Sequence, residues 1–154
     1  MHDPATPEPD ARLRATLGPP PSVRLHARSL TLTGLGRASW AAAAEYPSAL
    51  DYLLAALATD LVTGLGEESR REGLVLEDIE LRLEAYLEHP LVIAGVVGEE
   101  GSPKLRTIRG TLYVGTPAGE GEIRALWQRA CARAPVLATL APGVSLDLVL
   151  KLVP

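Results

Sequence analysis

The chain has 154 residues and a mass of 16.3 kDa, which is the size of one domain with a sizeable core. It carries 15 basic and 19 acidic residues, and the net charge of -4 argues against a nucleic-acid-binding protein, because such proteins usually have a basic excess. Its one cysteine, Cys131, cannot form an intramolecular disulfide, which excludes a disulfide-stapled secreted scaffold.

The N-terminal segment is rich in proline, which cannot donate to a strand ladder or sit inside a helix. Six of the 13 prolines lie within residues 1–21. We therefore expect a flexible arm over 1–21 and one folded domain over 22–154. The start of the chain is acidic where a secretory signal would be basic and then apolar. No run of about 18 uninterrupted apolar residues is present, so the sequence predicts a cytoplasmic protein with no membrane partner.

Two strands and a long helix are predicted in the first half of the chain. Apolar and polar residues alternate over 23–32, with a change of face that indicates a bulge. A second strand is predicted over 37–44 with Trp40 inward, although the alanine run there also suits a helix. Leucines then recur at steps of three and four residues, which predicts a helix over about 48–72 that ends at Gly73.

The second half of the chain is interpreted from the same periodicities. The predicted elements are strands over 78–88, 91–97, 105–114 and 144–153 and helices over 120–133 and 135–140. Strands grouped around two helices indicate an α+β fold rather than a doubly wound parallel sheet.

Signatures of common active sites are absent from the sequence. There is no glycine-rich phosphate loop, and no serine lies in a nucleophile-elbow sequence. The three histidines, His2, His26 and His89, lack the spacing of metal ligands. We therefore predict neither a metal site nor a cofactor.

Cys131 has two interpretations. It is either a reactive thiol close to Arg129 and Arg133, or a small apolar residue on the core face of its helix, one turn after Trp127. The negative dipole end of a helix disfavours a thiolate, and free cysteines are among the most buried residues. The pattern therefore favours a core residue.

Asp60 is the unusual residue of the long leucine helix. At about 100° per residue, it lies within about 20° of Leu53, on the flank of the leucine stripe. We expect a partly buried carboxylate, which needs a hydrogen-bond donor or a shifted pKa. It is either a pocket residue or, as is more common, a structural partner of an arginine.

Three segments resemble the OsmC/Ohr family of peroxide-response proteins. Residues 46–60, Tyr-Pro-Ser-Ala-Leu-Asp-Tyr-Leu-Leu-Ala-Ala-Leu-Ala-Thr-Asp, resemble the family's central helix, which has a Leu-Leu-Ala-Ala-Leu type run before a cysteine. Residues 72–81 resemble the exit of that helix into a strand. Residues 130–140, Ala-Cys-Ala-Arg-Ala-Pro-Val-Leu-Ala-Thr-Leu, resemble the segment in which a Cys-Pro pair precedes an apolar residue and Thr-Leu. The resemblance covers about 22–153 and implies the OsmC-like fold, with strands around a long central helix and a second helix, in an interlocked homodimer.

The chain departs from the family pattern at the reactive positions. The family's first cysteine falls on Asp60, and its second, the one before proline, falls on Ala134. The carboxylate that the peroxidases place early in the central helix falls on Leu50, beside Asp51. Arg37 is taken as the counterpart of their N-terminal arginine.

These departures bear on activity. The family's peroxidase chemistry uses a thiolate that becomes a sulfenic acid and a second thiol that closes a disulfide. A carboxylate cannot replace the thiolate, so we expect a stress-response homodimer without thiol-peroxidase activity. The resemblance also implies an apolar pocket with one acidic group at the dimer interface, lined by Asp60 and Ala134, that binds a small organic molecule or a cation-bearing ligand.

Arg37, Leu50 and Asp51 are the expected neighbours of this pocket. Two alternatives stay open: a one-cysteine organic hydroperoxide reductase that uses Cys131, and a purely structural or interaction dimer whose pocket is packed shut.

Overall fold

The computed structural model describes residues 9–19, 21–41 and 43–153. In chain order, its elements are β1 (Arg14–Leu17), β2 (Ser22–Ala27), β3 (Leu30–Leu35), α1 (Ala49–Glu72), β4 (Asp78–Leu87), α2 (Pro90–Ile93), β5 (Leu105–Gly115), α3 (Glu120–Ala132), α4 (Pro135–Leu140) and β6 (Ser145–Val153). They form two compact units that divide between Ala49 and Leu50. One sheet, β1-β2-β3, belongs to the first unit, and the other, β4-β5-β6, belongs to the second. The mixture of helices with these two sheets is the α+β class expected from the sequence.

The first unit is an antiparallel meander with β2 in the centre. Its paired residues alternate between a polar and an apolar face. The apolar face consists of Ala15, Leu17, Val23, Leu25, Ala27, Leu30 and Leu32. Among the described residues of this unit no apolar side chain is buried, and Leu17 and Leu30 are 78% and 61% exposed. Within the described residues of this unit, the sheet therefore presents an apolar face without a covering layer.

In the N-terminal region, the first strand begins earlier than we expected, and a hairpin turn replaces the expected bulge. Strand β1 lies inside residues 1–21, where we predicted a flexible arm, so paired structure begins before residue 22. Residues 1–8 of that arm lie outside the described residues. The change of face that we took for a bulge is a hairpin turn, in which Arg28 has a left-handed φ of 55°.

The strand predicted over 37–44 is wrong for the residues of that range that the structure describes. They form bends and irregular backbone, and Trp40 is 62% exposed instead of pointing inward. The alanine run offers neither β-branched side chains nor alternation, so nothing in it favours a strand.

The second unit is a three-stranded sheet with helices packed on it. β5 is the central strand, antiparallel to β4 and parallel to β6. A parallel pair needs a long crossover connection, which α3 and α4 supply. Inward side chains of β5 meet apolar side chains of α1 and α3 in the core. Its fully buried members include Leu57, Leu61, Leu65, Ile108, Val114, Ile123 and Leu126.

Helix α1 forms because its leucines fall on one side at steps of three and four residues. Three of them, Leu57, Leu61 and Leu65, are completely buried. Gly73 follows the helix with a φ of 66°, a left-handed conformation that glycine adopts without strain. By length and composition alone α1 would also suit a membrane span, a test that core helices pass as well.

The bounds predicted for the second unit agree with the structure to within one residue, with one exception. Residues 91–97 were expected to form a short strand, but Pro90–Ile93 form helix α2. Proline suits the first turn of a helix because its fixed φ is helical and it needs no hydrogen-bond acceptor there. Gly95 and Gly98, both with positive φ, follow this turn of helix.

A substitution at Gly110 tests how tightly the central strand β5 is packed. A Cβ added at this position would lie 2.6 Å from Leu83 Cδ2 and 2.7 Å from Leu148 Cδ2. We expect Gly110→Ala to lower the free energy of unfolding by about 1–3 kcal/mol, because a full core must rearrange to admit a methyl group. Gly121→Ala, where nothing lies within 4 Å, is the control. Equal urea midpoints for the two variants would contradict this packing.

Candidate functional site

Asp60 caps the N-terminus of α4 from another helix. It lies on α1 and is partly buried. Its Oδ2 accepts hydrogen bonds from the backbone N–H groups of Val136, at 2.8 Å, and Leu137, at 3.3 Å. Both donors are in the first turn of α4, where N–H groups have no partner within the helix. The carboxylate also faces the positive end of the helix dipole.

The local sequence explains why the cap comes from a distance. Ala134 is the N-cap residue of α4 and has no side-chain acceptor. Pro135, at the first helical position, fixes the backbone and has no N–H of its own. The next N–H groups therefore need an acceptor from elsewhere in the chain, and Asp60 provides it. The two positions singled out by the family pattern, 60 and 134, thus meet at one helix end.

A surface groove of about 310 Å³ adjoins this cap. The α1 wall carries Thr59, Asp60, Thr63 and Glu67. The wall at the α3–α4 junction carries Ala130, Arg133, Ala134 and Pro135. On the junction wall Pro135 is exposed, whereas Ala130 and Ala134 are only 2% and 4% exposed. The volume of the groove is at the lower end of the range for ligand pockets, about 300–1,000 Å³.

Glu68 is a buried carboxylate that joins α1 to α3. Its side chain is only 5% exposed, and its Oε1 accepts hydrogen bonds from Nη1 of Arg71 at 2.7 Å and Nη1 of Arg133 at 2.8 Å. Nε of Arg129 lies 3.4 Å from Oε2. Three guanidinium groups therefore surround one carboxylate, which offsets the cost of burying its charge.

Cys131 lies on α3 against the core. It packs beside the buried cluster that contains Leu57, Leu61 and Ile108. Burial, with a smaller contribution from the negative charge of Asp60, raises the pKa of the Cys131 thiol to about 11. The thiol is therefore protonated at neutral pH and is a poor nucleophile. This agrees with the core interpretation of the residue.

Two of the expected neighbours of the pocket, Leu50 and Asp51, do not line the groove. Leu50 is partly buried against the same apolar cluster as Cys131. Asp51 is exposed in the first turn of α1, and neither residue is part of the groove lining. Arg37 is exposed in the first unit, after β3.

Two features of the site were missed in the sequence. We expected an arginine partner for Asp60, but its hydrogen-bond partners are backbone N–H groups. The Ala-Pro pair before α4 was the available signal, because it marks a helix start without a capping side chain. Glu68 was not singled out; Arg129 and Arg133, four residues apart on one helix, were the sign of an acidic partner.

The fold and the site define an α+β protein. Its long helix α1 caps α4 at the α3–α4 junction, and a groove lies beside this cap. The family model described as OsmC-like protein matches residues 42–149, more than two thirds of the chain and including both positions of that junction. The chain therefore belongs to the OsmC-like family, as the sequence resemblance indicated. No curated protein matches it.

Solved structures of this family share the fold. An OsmC-like protein from Mycoplasma pneumoniae is 17% identical, with a TM-score of 0.79 over 96% of this chain and 99% of that one. An organic hydroperoxide resistance protein OsmC from Legionella pneumophila is 16% identical, with a TM-score of 0.65 over 95% and 99%. The organic hydroperoxide resistance protein OhrB of Bacillus subtilis is 17% identical, with a TM-score of 0.61 over 92% and 97%. At sequence identities of 16–17%, these similarities show a shared fold and nothing more specific.

The capping role of Asp60 predicts a loss of stability on its removal. Asp60→Ala leaves two N–H groups of α4 without their acceptor and should lower the free energy of unfolding by about 1–2 kcal/mol. Asp60→Asn keeps an acceptor oxygen and should cost less. Glu67→Ala, on the same helix but without a capping bond, is the control for chemical denaturation. An Asp60→Ala variant as stable as this control would rule out the cap.

The thiol of Cys131 should react slowly with iodoacetamide. A pKa of about 11, against 9.0 for an ordinary thiol, leaves about a hundredfold less thiolate at pH 8. The alkylation rate should therefore rise with pH well beyond pH 9, whereas the urea-unfolded chain should react as an ordinary cysteine. Asp60→Asn should lower the pKa because it removes a nearby negative charge. A folded-state rate that levels off near pH 9 would contradict this environment.

Proposed function

We propose that this protein is an OsmC-like homodimer without thiol-peroxidase activity, and that its groove binds a small organic molecule. One observation carries the proposal: the residue at the position of the family's first cysteine is a carboxylate whose Oδ2 is bonded to the start of α4. Asp60 therefore caps α4 at the position where the family pattern has a redox-active cysteine.

The chemistry of peroxide reduction supports this conclusion. A thiolate attacks the O–O bond, becomes a sulfenic acid and releases an alcohol; a second thiol then forms a disulfide and releases water, and a reductant restores both thiols. A carboxylate is a poor nucleophile toward peroxide oxygen and has no oxidised form that a dithiol regenerates. Ala134 offers no resolving thiol either.

The one-cysteine alternative receives less support from the site. Cys131 is the only thiol of the chain, it packs against the core, and its raised pKa keeps it protonated at neutral pH. It lies outside the groove lining as well. The purely structural alternative is disfavoured by the groove itself, which is open beside Asp60 instead of packed shut. A cytoplasmic location and the lack of nucleic-acid partners stay predictions.

The apolar face of the first unit's sheet supports the homodimer. A three-stranded sheet needs a layer over its apolar face to be stable in water. Leu17, Leu30 and Leu32 lie on that face and are exposed. We infer that a second copy of the chain covers this face, as in a symmetric dimer.

A peroxide assay tests the redox part of the proposal. Purified protein is mixed with cumene hydroperoxide and dihydrolipoamide in the presence of a chelator. We expect consumption at the rate of the protein-free mixture, for the wild type and for Cys131→Ser alike. Turnover in the wild type that Cys131→Ser abolishes would establish the one-cysteine reductase instead.

Light scattering tests the dimer. We expect about twice the 16.3 kDa chain mass at micromolar concentration. Leu17→Glu places a charge on the apolar face of β1 and should shift the mass toward the monomer. Thr16→Glu, on the opposite face of the same strand, should leave it unchanged. A wild-type monomer, or equal behaviour of the two variants, would overturn the arrangement.

A further inference from the structure

The polar face of the first unit's sheet is rich in arginine. Two rows of directly paired residues cross it, namely Arg14, His26 and Thr31 in one row and Thr16, Arg24 and Thr33 in the next. We call these two rows the basic face, because they contain two exposed arginines and no carboxylate. Side chains of successive strand residues point to opposite sides of a sheet. The basic face is therefore not the apolar face that we assign to the dimer.

The charges around the basic face do not cancel. The described residues of the first unit, within 9–49, include five arginines, and only Asp10 and Glu45 are acidic. None of these five arginines forms an ion pair with a described residue. In the second unit, by contrast, five arginines contact carboxylates: Arg71, Arg82, Arg124, Arg129 and Arg133. The first sheet therefore carries an excess of positive charge within a chain whose net charge is -4.

The spacing of the two arginines fits an extended acidic peptide. Arg14 pairs with His26, and Arg24 lies two residues from His26 on β2, so the two arginines are diagonal neighbours. Such neighbours are about 7–8 Å apart in a sheet, or somewhat less between their Cβ atoms. Side chains on one side of an extended peptide recur about every 6.8 Å. Carboxylates at alternate positions of such a peptide can therefore meet both guanidinium groups.

The side chains of the basic face favour carboxylates over other anionic surfaces. A guanidinium group offers a planar fork of donors that binds a carboxylate through two parallel hydrogen bonds. The two rows contain no aromatic side chain on which the bases of a single-stranded nucleic acid could stack. They also contain no large apolar side chain that could anchor the face in a lipid surface. An acidic segment of a protein remains as the partner that matches the face.

We propose that the basic face binds an extended acidic segment of a partner protein, whose alternate carboxylates contact Arg14 and Arg24. This interaction is separate from the small-molecule groove, because the basic face and the groove belong to different units. It depends on exposed charges, so it is weak for a short segment and sensitive to salt. A longer acidic segment gains affinity only where further carboxylates meet further arginines of the unit.

Three peptides of eight residues test the partner chemistry on the full-length wild type. The first has four Glu-Thr repeats, the second has four glutamates followed by four threonines, and the third has four Gln-Thr repeats. At pH 7 and low salt, we expect the first to bind with a dissociation constant on the order of 1 mM. The second, with the same charge but a different spacing, should bind about threefold more weakly, and the third should not bind measurably.

Matched variants locate the surface. Arg14→Gln and Arg24→Gln each remove one exposed charge and should weaken binding of the Glu-Thr peptide by about threefold. Thr16→Glu places a carboxylate opposite Arg24 and should weaken it as well. Arg106→Gln, at an exposed arginine of β5 without an ion pair, is the control for the loss of one charge. Circular dichroism checks that each variant is folded.

The possible results either support the assignment or overturn it. Unchanged affinity in both arginine variants, or equal affinity for the first two peptides, would overturn it. An oligothymidylate, or vesicles that contain phosphatidylglycerol, bound more tightly than the Glu-Thr peptide at the same salt concentration would overturn the choice of partner. No binding of the Glu-Thr peptide at about 20 mM, 20 times the expected dissociation constant, would also overturn it. The proposed function of the groove is unaffected by any of these results.

Discussion

The bond between the Asp60 carboxylate and the start of α4 is the constraint on which the site depends. A six-residue helix is too short to be stable by itself, and one that begins with Ala-Pro cannot cap its own N–H groups. The acceptor arrives from α1, 76 residues earlier in the chain. It fixes the α3–α4 junction against the central helix and so sets the shape of the groove. An aspartate at this position supplies one oxygen that accepts from two N–H groups of the helix start.

A second carboxylate on the same helix reinforces this arrangement. Glu68 follows Asp60 by about two turns of α1 and binds arginines from both α1 and α3. The arginine-rich composition is important here, because a planar guanidinium holds a fixed hydrogen-bond geometry that a lysine ammonium does not. Arg133, the basic residue of the groove lining, is engaged by Glu68. The ion pair between Glu68 and Arg133 thus joins two helical segments and also occupies the basic residue of the groove.

The sequence predicted the second unit well and the first unit poorly, for physical reasons. Long apolar periodicities locate α1, β4 and β6 to within a residue, because burial on one side imposes them. The region 37–44 has no such periodicity, and the hairpin at Arg28 carries no glycine or asparagine to announce a left-handed turn. At the site, the sequence predicted that Asp60 is partly buried and that Cys131 is a core residue. It did not predict the acceptor role of Asp60, because a cap that bridges 76 residues leaves no local pattern.

The environment of Cys131 determines how the protein reacts with oxidants. Methionine and cysteine are the side chains that reactive oxygen attacks first, and this chain holds one of each, Met1 and Cys131. The cysteine is kept as a neutral thiol beside the core, so peroxide reacts slowly with it. Exposure to peroxide should therefore leave the core of the second unit chemically unchanged.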